Sequence, residues 1–516
     1  LFRSTVAAMK VYLLLLALTA LLSVAVASNK AAKVPPGPIK HFIVLMMENR
    51  AFDHMLGWQM EQRPDIVGIN GTESNPWDIN NPNGRQIFVN KLAKDESPSP
   101  DHSINGTSFQ IYGNPNPAPN AVPAMKGFVA SGRSYFGDAD APSTMASWPP
   151  EHVPVITALS KQFALFDQYH ASVPGPTDVN RLYFHSATSH GAGHNNLVEI
   201  IMGYPQKSLY ELLDEAGYTW GAYFGEVPDP LFFKYTRQPQ FWDRLHLIDK
   251  FKEHANAGTL PTFTFLSPRF FSVLGIGAND QHPAHAVTEG EALMKEVYET
   301  LRNSPSWDSS AFLLTYDEHG GYYDHVSPPT QGVPNPDGMN SDRPYFNFNR
   351  LGLRIPTILV SPWVDAQIIH DPIVKPTPTS KYEHSSLIAT LTRMWGLNGP
   401  LTKRDAWASP FDFLFNLRST PRTDCPTTLP SPWQSGTTAY LKAKANKPEH
   451  LQPLGDLHMD LLQLGNSIAG LHPMANLEQL KTEHDGGMYL RKLMADYIER
   501  SKQVHLAATQ TQDASN

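Results

Sequence analysis

The chain has 516 residues, of which 41% are hydrophobic and 17% are charged, with 45 prolines and 34 glycines. This length predicts one large α/β domain with long polar loops, or two domains. The formal net charge of −8 argues against nucleic acid as the main partner. A single cysteine, Cys425, leaves no internal disulfide, so stability must come from a large core.

The N-terminus has the pattern of a secretory signal. Lys10 precedes an apolar run over 11–22, and Ala25-Val26-Ala27 offers an A-x-A cleavage site. The alternative is a membrane anchor, but the run is about as short as an anchor can be, and small residues follow it. We therefore expect a signal peptide over 1–27, with 1–8 as an upstream extension. The mature protein is then expected to be secreted, with no transmembrane segment.

Apolar runs alternate with amphipathic stretches along the body of the chain, which predicts a doubly wound, mostly parallel α/β sheet. Strands are predicted at 39–47, 163–169, 218–224, 262–266, 312–314 and 355–361. Helices are predicted at 152–159, 208–216, 241–255, 289–302 and 381–396, with another beginning at Thr177. Residues 61–150 are rich in Pro, Asn, Gly and Ser and are expected to be a long loop insertion.

The texture of the sequence changes after residue 405. We predict a main domain over 38–405 and a smaller C-terminal region over 406–505. That region is Pro-rich at first and alternates short amphipathic helices from 451 onward. A disordered tail is expected over 506–516.

Polar side chains follow two of the predicted strands directly. One strand runs into Asp317-Glu318-His319-Gly320-Gly321 with Asp324 and His325 close behind, and another runs into Glu48-Asn49. Open α/β sheets bind ligands at the carboxyl ends of their strands, and carboxylates with imidazole suit a divalent cation. A solvated polar loop is the alternative, but the density of charged groups favours a site.

Other strand ends supply a hydroxyl group and histidines. Pro174-Gly175-Pro176 places Thr177 at a helix start, where free backbone N–H groups bind an anion such as phosphate, although capping alone is the commoner role. Asp280 and His282 follow another strand, and His384 lies near a helix start. A hydroxyl nucleophile, a metal that lowers its pKa and histidines that move protons together suit phosphoryl transfer.

These motifs resemble the phosphoesterase family of non-specific phospholipases C, of plant type and with bacterial relatives that include an acid phosphatase. The resemblance spans 38–430 and is carried, in order, by MMENRAFDHMLGW, DHS, SVPGPTDVNRLYFHSATSHG, NDQHPAHAVTEGE, TYDEHGGYYDHV and PRTDCP. It implies an alkaline-phosphatase-like fold. It also implies hydrolysis of glycerophospholipids at a membrane surface to diacylglycerol and a phosphorylated head group.

The resemblance also implies roles for individual residues. Thr177 would be the nucleophile and would form a phosphothreonine intermediate. One divalent ion, of Ca, Mg, Mn or Zn, would be held by Glu48, Asn49, Thr177, Asp317 and Glu318. The phosphate site would be lined by His102, His282 and His319, one of them acting as general acid. Additional site residues would be Asp280, Asn180, Arg181 and His384.

Two positions depart from the usual family pattern. Ala286 stands where plant members often have Asp, so an acid that would orient His282 or His285 is missing there. Val179 replaces the Pro of Thr-x-Pro-Asn, which should loosen the turn slightly without loss of function. A broad-specificity secreted acid phosphatase is the alternative activity, because loops choose the substrate. A catalytically inactive secreted binding protein is the third hypothesis, which the presence of every proposed group disfavours.

Overall fold

The computed structural model describes residues 33–95, 97–273, 276–343, 345–434 and 452–513, so the predicted signal peptide lies outside the described residues. The strands are β1 His41–Met47, β2 Ser74–Pro76, β3 Gln86–Phe88, β4 Ala164–Phe166, β5 Tyr169–His170, β6 Trp220–Phe224, β7 Leu245–Leu247, β8 Phe263–Leu266, β9 Ser310–Tyr316, β10 Thr357–Val360, β11 Gln367–Ile369 and β12 Tyr382–Glu383. The α-helices are α1 Phe52–Met55, α2 Ile104–Tyr112, α3 Phe128–Phe136, α4 Pro154–Gln162, α5 Thr177–Ser186, α6 Leu197–Met202, α7 Leu209–Ala216, α8 Lys250–Asn256, α9 Val287–Arg302, α10 Ser385–Trp395, α11 Lys403–Trp407, α12 Asp456–Ile468 and α13 Glu483–Asp513.

The main sheet has eight strands in the order β11-β4-β10-β9-β1-β8-β6-β7. Neighbouring strands run parallel, except that β10 is antiparallel to both β4 and β9. The prediction of a mostly parallel sheet is therefore confirmed. Successive side chains of β9 are buried along its whole length, so both faces of the sheet are covered there. The carboxyl ends of β9, β1 and β8 meet at one edge of the sheet.

Three local predictions are wrong because chain pairing in the tertiary structure outweighs local periodicity. Residues 241–255 form the end of a 3₁₀-helix, the edge strand β7, which pairs with β6, and then α8. The strand predicted at 163–169 splits into β4 in the main sheet and β5 in a separate pair with β12. The helix predicted at 381–396 begins only at Ser385, because Tyr382 and Glu383 form β12.

The insertion at 61–150 has ordered structure of its own. It contains α2, α3 and the antiparallel pair β2–β3. Phe128 and Met145, both buried, belong to a separate apolar cluster with Trp58 and Tyr323. The insertion therefore packs against Trp58 and Tyr323, which lie outside it.

The C-terminal region consists of fewer and longer helices than the sequence predicts. Instead of several short helices from 451, α12 is followed by the long α13, which continues past residue 506, where a disordered tail was predicted. Residues 506–513 contain no Gly or Pro, so nothing in the sequence breaks the helix there. Leu462, Leu490 and Met494 are buried in the main core. Within the described residues, no helix is both long and apolar enough to cross a bilayer.

Candidate active site

Thr177 begins α5 and points into a cluster of oxygen atoms at the carboxyl end of β1. Its Oγ1 lies 2.8 Å from Oε1 of Glu48 and 3.5 Å from Oδ1 of Asn49. Thr177 is 5% exposed and the other two side chains are fully buried. The predicted nucleophile and two predicted metal ligands therefore lie together.

Asn180 holds the turn that presents Thr177. Its side-chain amide donates to the carbonyl oxygens of Gly175 at 2.9 Å and Pro176 at 3.2 Å, and its Oδ1 accepts from the backbone N–H of Val173 at 3.1 Å. These bonds fix the chain directly before α5. The turn is therefore held without the proline that Val179 replaces.

Arg181 joins three carboxylates near Thr177. Its guanidinium contacts Glu48 at 2.6 Å, Asp229 at 2.9 Å and Asp317 at 3.3 Å. Arg181 lies one helical turn after Thr177, so it leaves α5 on the same face. These contacts of the guanidinium fix the ends of β1 and β9 relative to Thr177.

Backbone contacts bring the ends of β1 and β9 together. The N–H of Asn49 donates to Oδ1 of Asp317 at 3.0 Å, and the N–H of Arg50 donates to the carbonyl of Glu318 at 3.1 Å. His384 contacts the carbonyl oxygen of Asp317 through Nε2 at 2.6 Å, and burial lowers its pKa to about 4. The structure therefore places His384 against the backbone of Asp317, and not among the oxygen donors.

The two glycines of the motif allow close approaches of neighbouring loops. Gly320 has φ +66° and a Cβ there would lie 2.1 Å from the carbonyl oxygen of Asn49. Gly321 has φ +73° and a Cβ would lie 2.6 Å from Cβ of Pro100 and 2.7 Å from the carbonyl oxygen of Asp101. Any larger residue would therefore push away the loops that carry Asn49 and His102.

The cluster carries more negative than positive charge, which tests whether a cation fits. Glu48, Asp317 and Glu318 are fully buried, while Arg181 contributes a single positive charge. Burial and then the nearby Glu48 raise the pKa of Asp317 well above its usual range. Burial also raises the pKa of Glu48, against the opposing effect of Arg181. A divalent cation would offset the repulsion among these buried carboxylates. Carboxylate, amide and hydroxyl oxygens are hard donors that fit such a cation.

The amide of Asn49 gives a second test of the fit. One terminal atom of this amide lies 2.5 Å from Oε1 of Glu318 and 3.1 Å from Oε1 of Glu48, and the other lies 3.1 Å from Nε2 of His282. Hydrogen bonding alone favours nitrogen toward the carboxylates. With a cation among the oxygens, the carbonyl oxygen belongs there instead. The residues therefore fit the ion that the family resemblance implies.

Two of the three predicted histidines face this cluster. Nε2 of His102 lies 3.4 Å from Nδ2 of Asn49, while its Nδ1 contacts the carbonyl of Pro100 at 2.8 Å. The rings of His102 and His282 are 6.3 Å apart. Burial, reinforced by the positive charge of nearby histidines, holds the pKa of His282 well below its usual range.

His319 has protein partners on both ring nitrogens. Nε2 lies 3.0 Å from Oε1 of Gln110, and Nδ1 lies 3.2 Å from Oε2 of Glu318. The contact with Gln110 ties α2 of the insertion to the end of β9. A direct contact of His319 with phosphate stays a prediction, because the structure shows a ring that supports Glu318.

Asp280 lies behind the cluster. Its carbonyl oxygen accepts from the N–H of Glu48 at 3.0 Å, and its carboxylate contacts His285 at 2.8 Å. The turn is held further by Arg50, whose Nε donates to the carbonyl of Gln281 at 2.8 Å. Gln281 has φ +75° and Asn49 has φ +56°, so both residues hold a strained backbone conformation.

Asp324 and His325, close to Glu318 in sequence, belong to a different cluster. They join Asp53 in a group whose ligand atoms lie within 4.8 Å of one another. Arg354 fills this group, with contacts of 2.9 Å to both Asp53 and Asp324. We therefore interpret it as a structural ion-pair network.

Asp229 is a site residue that the sequence reasoning missed. It follows β6 by five residues and binds Arg181 at 2.9 Å, His185 at 3.5 Å and Oγ of Ser267 at 2.7 Å. Asp229 follows the carboxyl end of β6, as Glu48 follows β1 and Asp317 follows β9. Its position after a predicted strand is therefore the signal that could have identified it.

Proteins of plants and bacteria are similar in sequence to this chain. The model of the phosphoesterase family matches residues 39–398. "Non-specific phospholipase C3" of Arabidopsis thaliana is 40% identical over 477 residues, which cover 90% of this chain and 90% of that protein. "Non-specific phospholipase C1" of the same plant is 40% identical over 92% of this chain and 88% of its own length. "Non-hemolytic phospholipase C" of Burkholderia pseudomallei is 25% identical over 63% of this chain and 52% of its own length.

Solved structures give more distant matches. A phosphonate monoester hydrolase of Agrobacterium radiobacter has a TM-score of 0.33 at 10% identity, over 89% of this chain and 96% of that one. An alkaline phosphatase superfamily protein from Vibrio parahaemolyticus has a TM-score of 0.30 at 12% identity, over 47% and 60%. The match of the family model over most of the chain, together with the plant relatives, confirms the resemblance seen in the motifs: the chain belongs to the phosphoesterase family.

Proposed function

We propose that this chain is a phospholipase C, which hydrolyses glycerophospholipids to diacylglycerol and a phosphorylated head group through a phosphothreonine at Thr177. The observation that carries the proposal is the position of Thr177 Oγ1, at the start of α5 and 2.8 Å from Glu48. The names of the similar plant and bacterial proteins support the reaction class.

The first step is attack by Thr177. Its hydroxyl proton already has an acceptor in Oε1 of Glu48, and its place at the start of α5 favours binding of an anion such as phosphate. As Oγ bonds to phosphorus, the bond from phosphorus to the glycerol oxygen breaks. Arg181 keeps Glu48 and Asp317 in place during this step through its contacts with both.

A histidine then supplies the proton that the glycerol oxygen needs to leave as diacylglycerol. His102 suits this role, because its Nδ1 contact with Pro100 leaves Nε2 directed toward the cluster. His282 stays neutral near pH 7, because burial lowers its pKa. In the second step, water gives a proton to the same histidine and attacks phosphorus. The bond to Thr177 breaks, and the proton that Glu48 accepted in the first step returns to restore the hydroxyl.

Glu48, Asn49, Thr177, Asp317 and Glu318 would hold one divalent ion. When bound, this ion would lower the pKa of the threonine hydroxyl and offset negative charge on the phosphate oxygens. Oxygen donors suit Ca, Mg or Mn, and the nearby histidines leave Zn open.

The proposal includes entry into the secretory pathway through residues 1–27, and phospholipid at a membrane surface as the substrate.

The test compares Thr177→Ala and Thr177→Ser with Thr420→Ala, a change at an exposed threonine, as control. On phosphatidylcholine micelles we expect Thr177→Ala to lose at least about 10³-fold in rate, as for loss of other nucleophiles, and Thr177→Ser to keep part of it. Acid quenching during turnover should trap phosphocholine on Thr177, joined to its hydroxyl oxygen through phosphorus and detected by mass spectrometry of the peptide. Near-normal activity of Thr177→Ala would overturn the mechanism.

Product analysis separates the two candidate activities. Diacylglycerol and phosphocholine identify a phospholipase C, whereas a phosphomonoesterase would instead release inorganic phosphate from a soluble monoester and leave phosphatidylcholine intact. A folded wild-type protein that turns over neither substrate would favour the binding-protein hypothesis.

A further inference from the structure

Helix α6 exposes two apolar side chains on one face beside the nucleophile. Val198 is 68% exposed and Met202 is 65% exposed, although both are apolar. They are four residues apart, so they share one face of the helix. Ile200 is buried, and Leu197 and Ile201 pack against the core from the other side. The exposed face is thus a fixed feature of a docked helix.

This helix is joined directly to the active site. The N–H of Asp178, the residue after Thr177, donates to Oδ1 of Asn195 at 3.0 Å. Asn196 then caps α6 by accepting from the N–H of Glu199 at 3.2 Å. The other end is held by Arg237, whose Nη1 donates to the carbonyl of Ile201 at 2.6 Å. The apolar face therefore lies at a fixed place on the rim of the site.

A second loop extends the same surface. Gly191 accepts from the N–H of Asp342 at 3.0 Å, and Asp342 binds His194 at 2.6 Å. This loop carries Met339, which is 37% exposed, and Tyr345, which is 60% exposed. The loop that leads into α6 therefore contacts the loop that carries Met339, and Met339 and Tyr345 are further exposed apolar groups in this part of the chain.

Cationic side chains flank the apolar face. The stem of Lys234 lies beside Gly203 at the end of α6, since a Cβ there would meet its Cγ at 3.0 Å, and Lys234 is exposed. Arg343 lies against Gly193 before α6 and its side chain is 43% exposed. Apolar residues between cations match a phospholipid surface, where acyl chains lie below a layer of phosphates.

We propose that Val198 and Met202 on α6, with Met339, Tyr345, Lys234 and Arg343 around them, dock the enzyme on a glycerophospholipid surface. This proposal rests on the function proposed above, because a lipid phosphate must reach Thr177 while its acyl chains stay in the membrane. Docking by α6 achieves this, since Asn195, two residues before the helix, accepts a hydrogen bond from the N–H of the residue that follows Thr177. Below, this set of residues is called the docking face.

The binding test uses the full mature chain carrying Thr177→Ala, so that lipid is not consumed. Cosedimentation with phosphatidylcholine–phosphatidylethanolamine vesicles compares it with the same chain bearing Val198→Asp and Met202→Asp. We expect the apparent Kd to rise roughly 10- to 100-fold, because two apolar side chains no longer leave water. The matched control is Leu417→Asp, an equally large change at a side chain that is 56% exposed. Leu417 precedes Arg418, which pairs with Asp365 after antiparallel β10, so it lies at the opposite edge of the sheet.

The activity test uses enzyme in which Thr177 is not substituted. We expect the double Asp variant to hydrolyse monomeric short-chain phosphatidylcholine within twofold of the unmodified enzyme, and to lose at least tenfold on vesicles. Val198→Trp should tighten vesicle binding, with a blue shift of its fluorescence on contact. If the Asp variant unfolds, Val198→Ser with Met202→Ser gives the same comparison.

Unchanged vesicle binding and unchanged vesicle hydrolysis in these variants would overturn the docking face. A change in oligomeric state on gel filtration without loss of vesicle binding would assign the face to a protein contact and also overturn it. If the unmodified enzyme hydrolyses neither lipid form, the proposed function fails, while vesicle binding by the Thr177→Ala chain still decides the docking face.

Discussion

Asp280 places both of its carboxylate oxygens within 2.9 Å of Nδ1 of His285. The same residue accepts from the N–H of Glu48 through its carbonyl and from the N–H of His282 through its carboxylate. Position 286, where the family resemblance implies an acid, is a buried alanine directly before α9. In this chain, the acid that orients His285 therefore comes from Asp280.

Replacing Asp280 by Asn should separate charge from hydrogen bonding, because Asn keeps an oxygen that can accept from His282. Although burial opposes it, Asp280, aided by Glu483, raises the pKa of His285 to about 10. The pair thus contributes stability in full below pH about 6.5, and that contribution is lost as pH rises through about 10. We expect Asp280→Asn to lower the free energy of unfolding by about 3 kcal/mol at pH 6.5 and by much less above pH 10. Urea unfolding at both pH values measures this; a difference that does not change with pH, or that exposed Asp243→Asn reproduces, would contradict it.

The proposed acid role of His102 predicts a dependence on the leaving group. His102→Gln should slow hydrolysis of phosphatidylcholine by about 10² to 10⁴-fold, the usual contribution of general acid catalysis. With p-nitrophenylphosphorylcholine the loss should nearly vanish, because p-nitrophenolate leaves without a proton. The rates of both substrates are measured for His102→Gln and His282→Gln. If His102→Gln lost the same rate on both substrates, His102 would act in binding and not as the acid. If instead the rate of His282→Gln recovered on p-nitrophenylphosphorylcholine alone, His282 would be the acid.

Gly321 should be needed for the position of His102 as well as for its own backbone angle. Gly321→Ala adds the strain of positive φ, about 1 kcal/mol, and a clash with Pro100 and Asp101. Gly338 has φ +81° with nothing within 4 Å of a Cβ, so Gly338→Ala supplies the backbone strain alone. We expect Gly321→Ala to lower kcat by roughly tenfold or more, while Gly338→Ala leaves kcat unchanged. Equal kinetics of the two variants would show that the clash is absorbed elsewhere.

Arg181→Lys keeps the positive charge but loses the planar guanidinium group, whose nitrogens contact Glu48, Asp317 and Asp229 at the same time. We expect a loss of about 3 kcal/mol in stability and a fall of at least roughly 100-fold in kcat. Arg354→Lys is the matched control, because Arg354 is also buried and also joins two carboxylates, but in the other ion-pair cluster. Unfolding curves and kcat at low temperature separate the two effects. A similar fall in kcat for both variants would indicate a general loss of structure.

Metal binding should depend on one of the two aspartates that follow β9 and not on the other. Asp317→Asn should weaken binding of the activating divalent ion, because Asp317 lies in the oxygen cluster. Asp324→Asn should not, because Asp324 binds Arg354. Titration calorimetry of chelator-treated protein with Ca, Mg, Mn and Zn in turn measures both and identifies the ion. Equal weakening by both variants would move the metal site toward Asp53 and Asp324.

The sequence could predict the convergence of Glu48 and Asp317 because parallel strands bring their carboxyl ends to one edge. It could not predict the different direction of Asp324 and His325. Two glycines with positive φ turn the chain after Glu318, and spacing alone does not show where a chain goes after such a turn. The partner of those residues, Arg354, lies 30 residues after Asp324.

The histidines show a similar division. The position of His102 depends on the fold of the long insertion. The Pro- and Asn-rich composition of the insertion is typical of a loop, although it forms α2 and α3. His319 and Gln110 are 209 residues apart in the chain, so no local sequence pattern predicts their contact. The acid partner of His285 was equally hard to predict, because its contact with Asp280 depends on how the turn after β8 folds back.

The hydrogen bonds and ion pairs of the oxygen cluster join residues 129, 133 and 136 positions apart in the chain. No fragment of the protein that ends before Asp317 contains both Glu48 and Asp317, the carboxylates after β1 and β9 that Arg181 joins. During synthesis, the growing chain therefore has no complete site until more than three-fifths of its 516 residues have been joined. A truncated product from an early stop codon would for the same reason be inert, and would not be a weak version of the enzyme.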